Sequence, residues 1–210
     1  MDRKDFYLTT DDIKVNTKEY MSGSWLKHAK VTLLFFVLTA ILIAGTVCGY
    51  VFLDWYYSAI ITVFAVFMYS QFSYGYNHYC LESIKREASA KLVFSGFGKK
   101  SIKIFVSFIM CFVLELLGFA CLIAPGVLFT LKYSIKDFVI ADNATLSTTK
   151  YLSKSSKLMK FNNSRLLELF GSFCPLFLLG LLSCGIAMLW ILPYYVMAKA
   201  NFYEDLKTDF

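Results

Sequence analysis

The stretch "VTLLFFVLTAILIAGTVCGYVFL", Val31 to Leu53, runs without an Asp, Glu, Lys or Arg. A helix that crosses the hydrocarbon core of a bilayer needs about 20 consecutive, predominantly apolar residues. Trp55 to Leu81 carries no such charge either, and neither does the run from Leu169 to Ala198. The chain of 210 residues is 58% hydrophobic and 17% charged, whereas a soluble domain is about a quarter charged. Composition and segregation of charge together exclude a soluble domain. They predict an all-α, polytopic membrane protein.

Six spans follow from the apolar runs and their breaks: Val31 to Leu53, Ala59 to Tyr79, Ile104 to Ala124, Val127 to Ala141, Leu166 to Ser183 and Ile186 to Phe202. Taken as one helix, Leu169 to Ala198 would be about 45 Å long, well beyond a hydrocarbon core of about 30 Å. The "SCG" at Ser183 to Gly185 therefore predicts a hairpin. Pro125 disfavours helical geometry in the residue before it and Gly126 supplies backbone freedom, which predicts a reversal there. Pro193 predicts a bend in the sixth span, where neighbouring helices can satisfy freed backbone groups; "LPYY" beside it is either a packed kink or the wall of a cavity.

All basic residues except Lys132 and Lys136 fall before, between or at the inner ends of these spans, and the three outer turns carry none. The positive-inside rule then places both termini in the cytoplasm. The predicted organisation is a cytoplasmic segment 1–30, a six-helix transmembrane bundle 31–203 with cytoplasmic loops 80–103 and 142–165, and a cytoplasmic tail 204–210. The mixed-charge segment 1–30 does not read as a secretory signal.

Asn143 to Lys160 reads as a basic amphipathic helix. Leu146, Thr149, Leu152 (or Ser153), Ser156 and Met159 (or Leu158) recur at helical spacing, with Lys150, Lys154, Lys157 and Lys160 mostly on other faces. Such a helix either lies on the bilayer with its lysines on lipid headgroups or is a solvated linker. Phe94 and Phe97 are candidates for docking the other cytoplasmic loop on the bilayer. Ala40-xxx-Ala44 and Gly45-xxx-Gly49 offer small-residue spacing for close helix approach.

Within this frame the chain resembles a family of bacterial integral membrane proteins, domain of unknown function nine-seven-five. The resemblance is carried by "LIAPGVLFTLKYS" (122–134), "FVIADN" (138–143), "SKSSKLMK" (153–160) and "LWILPYYVMAKANFYEDL" (189–206). "GSWLKHA" (23–29) and "LVFSGFGK" (92–99) extend it from about Ser22 to Leu206. Phe161 stands where the family has a glycine. The resemblance implies a six-span protein of the bacterial cytoplasmic membrane and implies no particular activity.

For chemistry, Glu115 is the sharpest candidate. It lies ten residues before Pro125, about 15 Å along a helix and so near the bilayer midplane. A charge at that depth normally faces the bundle interior with a partner. Lys136, at similar depth on the return span, is the predicted partner; Lys132 shares its face but points outward. Glu115 is half of a structural pair, a coupling carboxylate in a transport path, or a protonated or incidental carboxyl.

No GxSxG, HExxH, Walker or dinucleotide-type glycine motif appears, and the six cysteines show no metal-ligand spacing. The expectation is a non-enzymatic protein with no cofactor, no metal and no nucleic-acid partner. It would act through membrane lipids, other membrane proteins or self-association, in an accessory, immunity or membrane-stress role. A small secondary transporter or exporter using Glu115 is the alternative.

Overall fold

A computed structural model describes residues 8–85, 88–143 and 147–207, with the side chains of residues 121, 123 and 124 outside that description. Leu146, counted above on the apolar face of the basic helix, lies outside the described residues. The described chain is all-helical: α1 Thr10–Met21, α2 Trp25–Phe52, α3 Trp55–Lys85, a 3-10 turn Ala90–Phe94, α4 Ser101–Cys121, α5 Ile123–Tyr133, α6 Lys136–Asp142, α7 Thr148–Met159, α8 Asn163–Leu182 and α9 Met188–Lys207. Among the described residues, four helices are long and apolar enough to cross a membrane: α2, α3, α4 over Ser101–Ala120, and α8.

α1 begins at a capping box. Thr9 Oγ1 accepts the Asp12 N–H (3.2 Å) and the Asp12 carboxylate accepts the Thr9 N–H (3.0 Å). This arrangement satisfies orphan donors at a helix start. α1 buries Ile13, Thr17 and Met21, one residue per turn on a single stripe. That stripe docks on α9, where Asn201 donates to the Ile13 carbonyl (3.4 Å) and Tyr194 to the Lys14 carbonyl (3.3 Å).

α2 and α3 form the first hairpin. Ser58 Oγ donates to the Gly49 carbonyl across it (2.9 Å). Gly49 is buried, with Ile61 positioned 3.2 Å from where its Cβ would be, while Gly45 faces open space. Only one of the predicted small residues of that pair therefore meets a neighbouring helix.

α3 continues six residues beyond the predicted span end at Tyr79, to Lys85. The polypeptide from Ala88 onward then folds back over it. A Cβ on Gly75 would run into the Val93 backbone carbonyl, so the 3-10 turn sits directly on the α3 backbone. Phe94 and Phe97 pack edge-on against Phe72, at 5.8 and 5.2 Å between ring centroids. The aromatics predicted to dock on the bilayer are thus partly spent on α3.

Two predicted boundaries move. The reversal after α4 falls at Leu122, which is extended (φ −167°, ψ 156°), and not at Pro125-Gly126. Pro125 is the third residue of α5, and the first four N–H groups of a helix have no intrahelical acceptor. Its missing donor therefore costs α5 nothing. Gly126 instead provides close approach: a Cβ on Gly118 would lie 2.9 Å from the Gly126 Cα.

The predicted fourth span, Val127 to Ala141, is two helices, α5 and α6, separated by a turn at Ser134–Ile135. The interruption leaves the Lys132 carbonyl near a helix end, and Ser155 Oγ of α7 donates to it (2.8 Å). α7 buries Tyr151, Leu152, Ser155, Leu158 and Met159. These face α4, α5 and α6, so the apolar face of α7 is occupied by protein.

α8 and α9 reverse through Cys184 (φ +51°) and Gly185 (φ +86°), the left-handed geometry that glycine adopts without penalty. Pro175 lies inside α8 and Pro193 inside α9, each removing one helical donor. The core lies where α9 meets α3, α6 and α1; Tyr79, Phe138, Phe202 and Tyr203 are fully buried there. The far halves of α2 and α3 expose apolar side chains, among them Ile41, Val51 and Ile60.

Candidate functional sites

Of the charges that the sequence places at depth, Glu115 and Lys136 lie with Asp137 and Lys199 between α3, α4, α6 and α9. Asn77 Nδ2 donates to Asp137 Oδ2 at 2.7 Å. Lys136 Nζ lies 5.7 Å from the Phe108 ring centroid, and Lys199 Nζ lies 5.6 Å from that of Phe138 and 5.9 Å from that of Tyr195. Such placements are cation–π contacts. Asp137 and Glu115 are the carboxylates near Lys136, and Asp137 and Lys136 are the charged groups near Lys199.

Glu115 and Lys136 are both half-buried. Among the described residues no ion pair within 4.0 Å joins them. With the reversal at Leu122, Glu115 is seven residues from it, about 10 Å. Lys132 Nζ is turned to the Phe129 ring (5.8 Å) and away from this cluster. The cluster therefore holds two acids, Glu115 and Asp137, and two lysines, Lys136 and Lys199. Asp137 and Lys199 stand near span ends, where charges read as solvated, and Asn77 is uncharged. Their signal was position: a charge near a span end looks solvated until helix packing buries it.

A second knot ties the inner helix ends. Asp142 accepts from Lys85 (2.8 Å), Lys207 (2.7 Å) and Tyr203 (3.0 Å), and Lys85 also pairs with Glu204 (3.0 Å). Burial alone would raise the Asp142 carboxyl; the bonds and charges of Lys207 and Lys85 outweigh it and hold it below its usual value of 3.8. Asp205 accepts from Arg165 (2.7 Å) and from the Leu8 N–H (3.2 Å).

The histidines are satisfied polar groups. His28 is buried, with Nε2 at 3.0 Å from Ser24 Oγ and Nδ1 at 2.9 Å from Tyr79 OH. His78 Nδ1 meets Ser95 Oγ at 2.8 Å. Among the described residues no cluster of three or more His, Cys, Asp or Glu is arranged to hold a metal ion.

The lysines of α7 divide. Lys150, Lys157 and Lys160 are exposed, while Lys154 is half-buried and donates to Asn143 Oδ1 (3.3 Å).

A cleft of about 590 Å³ lies between α1, the start of α2 and the α8–α9 pair. Val15, Trp25, Leu176, Trp190, Ile191 and Tyr194 make its apolar walls, and Asp11, Lys14 and Lys18 make its charged edge. Of the "LPYY" run, Tyr194 lines this cleft, while Tyr195 packs among Phe170, Phe173 and Phe177. Pro175, which the sequence reading passed over, bears on this site. It has no N–H for the Gly171 carbonyl, and the adjacent Ser172 carbonyl accepts Lys14 Nζ at 3.3 Å.

Residues 116–209 match the family described as "Protein of unknown function (DUF975)", the family whose sequence patterns the chain resembles. The earlier part of that resemblance, from Ser22, lies outside the matched residues. No curated protein and no solved structure matches the chain.

Proposed function

With residues 116–209 matching this family of unknown function, we propose from the geometry that the protein is a six-span integral membrane protein of the bacterial cytoplasmic membrane with both termini inside. It acts without catalysis, through lipids or partner membrane proteins, in an accessory, immunity or membrane-stress role. The observation that carries this is the division of the surface. The far halves of the long helices present Ile41, Ile60, Leu116 and Leu182 outward, while charge collects where Lys85, Asp142, Glu204 and Lys207 meet. α5 and α6 together run from Ile123 to Asp142, and α9 runs from Met188 to Lys207. α9 amounts to about 30 Å of helix, and α5 with α6, broken at Ser134–Ile135, is the other stretch assigned to the remaining two crossings.

Cys48 and Cys184 are exposed thiols near the first and third of the three outer turns of this topology. Left as single cysteines in intact cells, both react with a membrane-impermeant maleimide, whereas Ser153→Cys on α7 reacts only after permeabilisation. Labelling of Cys184 from the inside alone would overturn the topology. For the role itself, cross-linking and pull-down from native membranes recovers a specific partner with wild type.

A second reading, a small transporter, draws on the gathering of Glu115, Lys136, Asp137 and Lys199 inside the bundle. Charged groups near a bundle centre commonly mark ion pathways. Under it, a flux measured in proteoliposomes disappears in Glu115→Gln. Under the first reading, Glu115→Gln leaves transport at the vesicle background and alters only stability or partner capture.

A further inference from the structure

We propose that the cleft between α1, α8 and α9 holds an acyl chain of an anionic phospholipid, with its phosphate on Lys18 and Lys14. The proposal rests on the chain's being a membrane protein. At about 590 Å³ the cleft falls within the range of roughly 300–1,000 Å³ usual for small-molecule sites. One side is hydrocarbon and aromatic, from Trp25, Leu176, Trp190 and Ile191; the other is charged. That combination is the chemistry of an amphiphile.

The charged edge selects the sign of the headgroup. Lys14 and Lys18 stand against Asp11 alone. The two lysines are four residues apart and share a helix face. Lys14 is held in place: Nζ donates to the Ser172 carbonyl (3.3 Å) and lies 5.5 Å from the Phe173 ring centroid. One of its three donors is used there, and the others remain for a phosphate oxygen. Lys18 is exposed and, among the described residues, makes no hydrogen bond or ion pair. A phosphate without a cationic headgroup fits this excess of positive charge better than phosphocholine does.

The test uses the full chain with Trp55→Phe. Trp25 and Trp190 are then the remaining emitters of the three tryptophans, and both line the cleft. The protein is reconstituted into phosphatidylcholine vesicles containing a small fraction of phosphatidylglycerol brominated on its acyl chains. Bromine in the cleft quenches emission more than the same fraction of brominated phosphatidylcholine does. The expected preference is about fivefold, the effect of roughly one lysine near an anionic lipid.

Lys14→Gln/Lys18→Gln brings the preference to about one. Lys18→Gln alone, at an exposed position that should leave the fold intact, lowers it, and Lys91→Gln, exposed on the 3-10 turn, leaves it unchanged. Equal quenching by the two brominated lipids overturns the proposal. So does a preference that survives the lysine substitutions, or one that inorganic phosphate abolishes, since the last describes a free-anion site. Protection of both tryptophans together with cross-linking between copies assigns the cleft to a second copy of the chain and also overturns it. A chain that passes the cysteine-labelling test but shows no lipid preference fails here alone; a chain that fails the labelling test loses the membrane topology itself.

Discussion

Asp142 takes bonds from α3, from α9 and from a tyrosine on the same α9 turn at once. Its folded carboxyl titrates below the usual value of 3.8, so the ionised form is favoured by folding. That contribution is complete above the usual value and drains away as pH falls through the lower, folded one. Acid unfolding of wild type in detergent should therefore steepen below about pH 3.8, and Asp142→Asn should flatten that limb. At neutral pH the substitution should cost about 1–2 kcal/mol, since the two lysines remain partly in solvent; thermal unfolding measures it. In the buried cluster, the Asn77–Asp137 bond of 2.7 Å predicts coupling of about 0.5–3 kcal/mol in a double-mutant cycle. The cycle of Glu115→Gln with Lys136→Met should come closer to additive, because no ion pair joins those two residues among the described residues. A larger coupling for Glu115–Lys136 than for Asn77–Asp137 would contradict this arrangement.

At the scale of elements, the clamp of the 3-10 turn on α3 hangs on the absence of a side chain. Gly75→Ala should destabilise by about 1–3 kcal/mol as backbone is forced apart, read as a lowered melting temperature; an unchanged one would mean the turn is not seated there. The first hairpin was legible because charge-free runs long enough to cross a bilayer admit few other readings. The α8–α9 reversal was legible because Cys184-Gly185 sits midway in a run too long for one crossing. The break between α5 and α6 was not. Ser134 and Ile135 carry no proline or glycine signal, and the carbonyl that the break bares is met by Ser155, 23 residues away from Lys132. The site divides in the same manner. Glu115 and Lys136 stood out against apolar neighbours, whereas Asn77, Asp137 and Lys199 sit near span ends and acquire their burial from helices brought together only by folding. On α7 the predicted Leu152 and Met159 (or Leu158) are buried, while Tyr151 and Ser155 turn inward in place of Thr149 and Ser156, because its serines and threonines blur the apolar stripe.

Across the whole molecule, the segment before α1 and the end of α9 are one structure. Leu8 bonds Asp205, Arg165 bonds both Leu8 and Asp205, and Asn201 bonds Ile13. The Asp205 side chain is 7% exposed, and removing one partner of a buried ion pair costs about 3–5 kcal/mol. Asp205→Asn should thus speed amide exchange in α1 as well as in the last turns of α9. Faster exchange in α9 alone would show α1 to be anchored elsewhere.

This closure has a consequence for how the protein is made. α1 is synthesised well before α9. Until Tyr194 and Asn201 have been synthesised, the stripe of Ile13, Thr17 and Met21 lacks the helix that covers it. The nascent chain therefore carries an uncovered apolar stripe until α9 emerges to cover it. A chain stalled or cut before α9 would keep that stripe exposed, which distinguishes an unfinished product from a finished one.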